Sequence, residues 1–190
     1  MQRLITLAKR IKNPELREKT IEFLKNPEVS NEYFKRYERM KFEEAYGGTS
    51  EFHHGYKGGL LDHTYSVALL CLQIAEHLEK MYNLKINKDY LLSAALLHDI
   101  MKVYCFEKKG GVVVHRETGL EHLVWGCCEL YARGFPEEVI HIVAAHAGQQ
   151  GTVQPQSIEA WILFYADTID AMMETVITAK DKPKIILLKE

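Results

Sequence analysis

His63, the pair His98-Asp99 and Asp167 combine imidazole and carboxylate donors, with no thiolate among them. Two imidazoles and two carboxylates, with room for water, suit a borderline-to-hard divalent ion such as Mn, Fe, Mg, Co or Ni. They suit a structural zinc poorly, because such sites favour thiolates and closely spaced ligands. An ion held this way would polarise a phosphoryl oxygen and acidify a bound water into a nucleophile. The pair closes the stretch LLSAALLHDIMK, in which apolar residues at 91, 92, 95, 96 and 100 recur with helical spacing. An imidazole and a carboxylate at the end of a buried segment are costly unless something binds them.

Further donors follow. His122 and His146 are expected to hold a second ion or, as cations, to neutralise phosphate charge. Lys102, three positions after Asp99, either meets a phosphate or sits at a helix end where cations are favoured. Asp170 and Glu174 fall on faces near Asp167, either as supporting groups or as a solvated stripe. Taken singly, each residue also has a plainer reading. His63 suits a satisfied core position, His122 beside Glu121 a helix start, and His146 a partner of a helix C-terminus. His77, His115 and His141 read as surface residues, and adjacent Cys127-Cys128 as helix packing.

The elements that must position these groups are mostly helical. Asn13-Pro14-Glu15 combines a cap, a first-turn proline and a dipole-matching acid, opening a helix to about residue 25. Asn26-Pro27-Glu28 repeats the device and predicts a further short helix through residue 42, with Tyr33, Phe34, Tyr37 and Phe42 facing inward. The glycines of EFHHGYKGGLLDHT make a loop in which backbone can approach a ligand. A helix over 60–82, apolar on most faces, is expected at the centre with His63 in its first turns. Asn87 caps a helix over 88–101 that carries His98-Asp99. VYCFEKKGGVVVHRE predicts a β-hairpin. Helices over 119–133 and 135–147 carry His122 and His146, with Gly134 between them, and a Ser157-capped helix to about 179 carries Asp167.

The fold class expected is all-α, a helical bundle with a small β-hairpin. Its expected parts are a helical cover over 1–46, a metal-binding domain over 47–180 and a tail over 181–190. A hydrophobic fraction of 47% and a charged fraction of 26% are ordinary for a soluble globular chain. The net charge of -2 gives no global bias toward nucleic acid, although a local basic patch remains compatible with it. No apolar run reaches the roughly 18 residues of a membrane span. MQRLITLAKRIK is too amphipathic for a secretory signal. Four cysteines without a CxxC pairing suit free thiols in a reducing cytoplasm. Tyr33, Tyr37 and Tyr46 could line a homodimer interface as readily as a core.

The order H…HD…D resembles the HD-domain metal-dependent phosphohydrolase superfamily. HDIMK is similar to its HDIGK-type segment, with Met101 where glycine is common. HHGYKGGLLDHTYSV closely resembles the HHxYxGGLLEHTLSV segment of the YhaM-like 3′–5′ exoribonucleases. LEHLVWG and AAHAG resemble their GH-I-xxG and SHHG segments at His122 and His146, with Ala147 replacing a second histidine. PQSIEAWILFYADTIDA resembles their PxTxEAxxLHxADxxDA, which places Asp167 and Asp170.

The resemblance implies an HD fold, one or two divalent ions (manganese foremost) and hydrolysis of phosphate esters of nucleotides or nucleic-acid 3′ ends through a metal-activated water. His63, His98, Asp99 and Asp167 would be metal ligands. Asp99 or Asp167 would orient the water, and His122, His146 and Lys102 would stabilise charge on the phosphoryl oxygens. His54, Lys57 and Lys102 would contact substrate. The exoribonucleases carry an N-terminal OB-type module where this chain has about 45 residues of helical text, so nucleotides or short oligonucleotides are expected ahead of processive action on RNA. The rival readings are a non-catalytic nucleotide-binding or regulatory HD module and a structural helical adaptor.

Overall fold

Local caps set the boundaries of most helices. In the computed structural model, which describes residues 1–50 and 52–178, α1 (Gln2–Ala8) leads into α2 (Pro14–Lys25). Asn13 accepts the Leu16 amide at 3.0 Å, and Pro14 takes the first helical position, where no intrahelical N–H is needed. The long α3 (Gly59–Tyr82) follows the glycine-rich loop, and α4 (Lys88–Leu97) starts at Asn87, whose side chain accepts from Tyr90.

Strands β1 (Phe106–Lys109) and β2 (Val112–His115) pair antiparallel with Phe106 opposite His115. Gly110 and Gly111 turn them at φ 58° and 90°, the positive values that a two-residue hairpin of this hand requires. α5 (His122–Ala132) ends in a Schellman arrangement, the Gly134 amide reaching Tyr131 O at 3.0 Å and the Phe135 amide reaching Leu130 O at 3.1 Å. α6 (Glu137–Ala144) follows. α7 (Ile158–Thr178) is capped by Ser157 Oγ, 3.1 Å from the Ala160 amide.

The centre of the bundle is α4 rather than α3. Leu91, Leu92, Ser93, Ala94, Ala95, Leu96 and Leu97 are all buried, as a helix apolar on every face must be, and α2, α3, α6 and α7 pack around them. α3 buries one stripe at three- and four-residue steps, including His63, Val67, Cys71 and Ala75, against α4 and α7. The N-terminal helices share this core: Leu4 and Phe23 belong to the same apolar cluster as Leu96 and Leu163. Between α2 and α4 the buried hydroxyls of Thr20 and Ser93 satisfy each other at 2.8 Å.

Asn26-Pro27-Glu28 does not open the expected helix. The stretch to residue 42 is largely irregular, with short 3-10 turns at Glu32–Phe34 and Phe42–Glu44. Tertiary bonds override the local signal. Ser30 gives its amide and hydroxyl to Glu129 at 2.8 and 2.6 Å, Arg133 reaches Glu28 O at 2.7 Å, and the Met40 amide reaches Val103 O at 2.9 Å. Phe34 and Tyr37 pack on Trp125 and Phe42 is buried, but Tyr33 points outward and is 85% exposed. Tyr46 is buried under the hairpin with Cys105, Phe106 and Val113. The helix expected over 88–101 stops at Leu97 and gives way to a 3-10 turn at Ile100–Tyr104. The expected tail over 181–190 lies outside the described residues.

Candidate metal centre

The chemistry gathers where α4 ends. Asp99 has φ −110° and ψ 11°, in the sparsely populated region between helix and strand where active-site residues recur. On an unbroken helix, neighbouring residues point about 100° apart. The break brings His98 Nε2 and Asp99 Oδ2 to 3.5 Å. His63 lies in the first turns of α3, Asp167 and Asp170 lie on α7, His122 is the first residue of α5, and His146 follows the end of α6.

His63 is fully buried and uses its two ring nitrogens differently. Nδ1 donates to Asp170 Oδ2 at 2.7 Å. Nε2 faces Asp167 Oδ1 at 3.0 Å, His98 Nε2 at 3.3 Å and Asp99 Oδ2 at 3.4 Å. His98 Nδ1 donates to Ala95 O at 2.9 Å, and His146 Nδ1 repeats the device with Val143 O at 2.7 Å. These bonds fix both rings and leave Nε2 free to bind a metal. His122 Nε2 and His146 Nε2 stand 3.2 and 3.8 Å from Asp99 Oδ1. One donor atom each from His63, His98 and Asp167 lies within 4.8 Å of the others, and the same holds for Asp99, His122 and His146. Asp99 therefore separates two donor sets, Oδ2 facing one and Oδ1 the other.

The donors fit divalent cations. Asp99 is 2% exposed, and neither carboxylate oxygen has an aligned hydrogen-bond donor, although Lys102 Nζ lies 2.6 Å from Oδ2. Beyond that one ammonium, a buried carboxylate facing imidazole nitrogens at both oxygens suits a bound cation. Without metal, burial alone would push His63 down, but hydrogen bonds to Asp167 and Asp170 and the facing Asp99 carboxylate hold it well above its ordinary value. Burial would raise Asp99, but the charges of Lys102 and His98 hold it well below the usual carboxylate range. Asp167 is lowered in the same way, chiefly by His63. Burial pushes His98 down to about 4 and lowers His122, so both imidazoles are neutral near neutral pH, the form a metal needs.

The structure thus gathers His63, His98, Asp99, Asp167, His122, His146 and Lys102. His54 is buried with Nε2 3.6 Å from Asp170, whereas Lys57 is exposed and paired with Glu44 at 3.0 Å. Asp170 and Glu174 are not a solvated stripe, since Asp170 holds His63 and Glu174 accepts the His54 amide at 3.0 Å. His77 and His115 are exposed, as expected.

Sequence reasoning passed over His53. Its ring centre is 5.0 Å from that of His63 and its Nδ1 is 3.1 Å from His54 Nδ1, while burial and then the charge of Lys102 bring its pKa down to about 4. The signal was the doubled histidine directly before a glycine turn. That loop packs so closely that a Cβ on Gly59 would lie 2.0 Å from His54 O. Asp167 and His122, with side chains 22% and 25% exposed, are the most open of the clustered donors and mark the accessible side. Two surface clefts of about 650 and 600 Å³ include none of these donors.

An all-α bundle that converges H, HD and D donors from three helices defines a class, the metal-dependent phosphohydrolases. Residues 60–172 match the HD domain family, and the chain belongs to it. Over 178 residues it is 45% identical to the dihydroneopterin 2′,3′-cyclic phosphate phosphodiesterase of Methanocaldococcus jannaschii, covering 93% of this chain and 71% of that protein. It is 27% identical over 194 residues to the 3′-5′ exoribonuclease YhaM of a Geobacillus species, covering 92% of this chain and 57% of the relative. To YhaM of Oceanobacillus iheyensis it is 29% identical over 188 residues, covering 88% and 56%. The chain therefore spans little more than half the length of those exoribonucleases. No solved structure matches it. Among the described residues no helix is long and apolar enough to cross a membrane, and all four cysteines are free.

Proposed function

We propose that the protein is a phosphodiesterase with two divalent ions that opens a small cyclic phosphate of a nucleotide-like molecule. Asp99 carries the reading, a buried carboxylate with no aligned donor and a different set of imidazole nitrogens at each oxygen. The relative named for a 2′,3′-cyclic phosphate, similar across 93% of this chain, supports the substrate class. Bound ions supply Lewis acidity toward phosphoryl oxygens and a water acidic enough to yield a nucleophile. His63, His98 and Asp167 would hold one ion and His122 and His146 the other, with Asp99 offering an oxygen to each set. Manganese is the expected metal, and the N/O donor set accommodates Mg, Fe, Co or Ni. Lys102 keeps a cation beside Asp99 Oδ2 and stabilises negative charge developing on the phosphoryl oxygens. The free thiols suit a reducing cytoplasm.

A second reading, hydrolysis at nucleic-acid 3′ ends, draws on the exoribonuclease relatives. One experiment separates the two. Wild type and Asp99→Asn are stripped with chelator, reloaded with Mn, and given 2′,3′-cyclic AMP, dihydroneopterin 2′,3′-cyclic phosphate or 3′-labelled RNA. The proposal expects a cyclic phosphate opened to a monoester by wild type alone. Turnover of RNA but of neither cyclic phosphate favours the second reading. Equal rates in both proteins, or none with any divalent metal, sink the site assignment.

A further inference from the structure

Asp170 lies on α7 just beyond Asp167, yet belongs to none of the three donor clusters, the third being His53, His54 and His63. Its Oδ2 accepts from His63 Nδ1 at 2.7 Å, stands 3.6 Å from His54 Nε2, and its carboxylate also takes the Ser66 hydroxyl. Farther along α7, Glu174 accepts the His54 backbone amide at 3.0 Å. His54 holds φ 55°, a left-handed conformation that a non-glycine residue keeps only when its surroundings enforce it. Two carboxylates of α7 thus grip both the loop bearing His53 and His54 and the helix bearing His63.

A neutral imidazole offers a metal one nitrogen, and the hydrogen bond at the other decides which. His98 and His146 solve this with backbone carbonyls of their own chain segments, Ala95 O and Val143 O. Those bonds do not depend on the side chain of another element. His63 depends on a side chain from another helix instead. We propose that Asp170 is a positioning residue that fixes His63 as an Nε2 ligand and, through His54, ties metal retention to the seating of the loop over 52–58. This rests on the two-pocket metal reading above. Asp170 presents a charged acceptor, which also makes the bound imidazole a better donor to the ion than a carbonyl would.

The test is metal affinity rather than turnover. Chelator-stripped wild type, Asp170→Ala, Asp170→Asn and His54→Ala are titrated with Mn in competition with a fluorescent chelator, and their melting is followed in EDTA. Asp170→Ala is expected to weaken Mn binding about 10–100-fold. The Asn variant, whose amide oxygen still accepts the Nδ1 proton but carries no charge, loses less, and His54→Ala loses part of the same affinity. Wild-type affinity in both Asp170 variants overturns the proposal. If Asp170→Ala is unfolded in EDTA, the Asn variant carries the test alone, and wild-type affinity there refutes it. A wild type that binds no Mn instead overturns the metal reading itself, and this inference with it.

Discussion

Substituting Asp99 should abolish metal-dependent stabilisation at both pockets, whereas substituting His122 should abolish it at one. The stripped wild type is expected to fold, because Asp99, Asp167 and Asp170 then face a protonated His63 and the Lys102 ammonium. Metal present at 100 times its dissociation constant stabilises by about 2.7 kcal/mol per site. A chain of this size gains about 2–4 °C in Tm per kcal/mol, so one filled pocket raises Tm by about 5–11 °C and two by up to about twice that. Asp99→Ala leaves buried Lys102 without its partner at 2.6 Å, and breaking such a pair costs about 3–5 kcal/mol even without metal. Asp99→Asn keeps an oxygen near Lys102 and is the better variant. The assay is thermal melting after dialysis against EDTA, with and without Mn. Expected shifts are full for wild type, about half for His122→Ala and near zero for Asp99→Asn. A full shift in Asp99→Asn would refute the shared-carboxylate argument, and so would a complete loss in His122→Ala.

Other outcomes follow from the same contacts. Glu129→Ala removes the buried acceptor of the Ser30 amide and hydroxyl, and urea unfolding should show a loss of about 1.5–3 kcal/mol with Mn affinity unchanged. Gly59→Ala drives a Cβ against His54 O, so metal-supported turnover should fall on the order of 100-fold while far-UV circular dichroism stays native. Melting of the EDTA-treated protein should peak near pH 6.5. The raised His63 pKa makes its contribution complete below 6.5 and lost as pH climbs from there through the raised pKa, while the lowered His53, His98 and His122 values remove stability as pH falls below 6.5. Mn loading should flatten the alkaline side, and an EDTA-treated Tm that climbs steadily above pH 6.5 would contradict the His63 assignment.

What the sequence disclosed was whatever is decided locally. Asn13, Asn87 and Ser157 cap helices through bonds spanning three residues, so their side chains announce the boundaries. Gly110-Gly111 announced the hairpin for the same reason. The donors were legible because imidazoles and carboxylates interrupt apolar text in a definite order. The failed helix after Asn26 had an equally good local signal, but its backbone is claimed by Glu129 and Arg133, about 100 residues away. No window of sequence holds that competition.

The same distinction explains why the supporting groups were harder to see than the candidate ligands. Asp170 could be a solvated residue in any amphipathic helix, and only the packing of α7 on α3 turns it toward His63, 107 positions earlier. His53 and His54 matter because the loop folds back until Gly59 touches His54, and because Glu174, 120 positions later, holds the His54 amide. The break after Leu97 has a similar cause. Continued helix would aim His98 and Asp99 apart, while the tighter turn at Ile100–Tyr104 lets both face donors from α3, α5 and α7. The candidate metal centre is therefore written as composition in the sequence and as orientation only in the packed bundle, where His63, His98 and His146 each gain the bond that would select the ligating nitrogen.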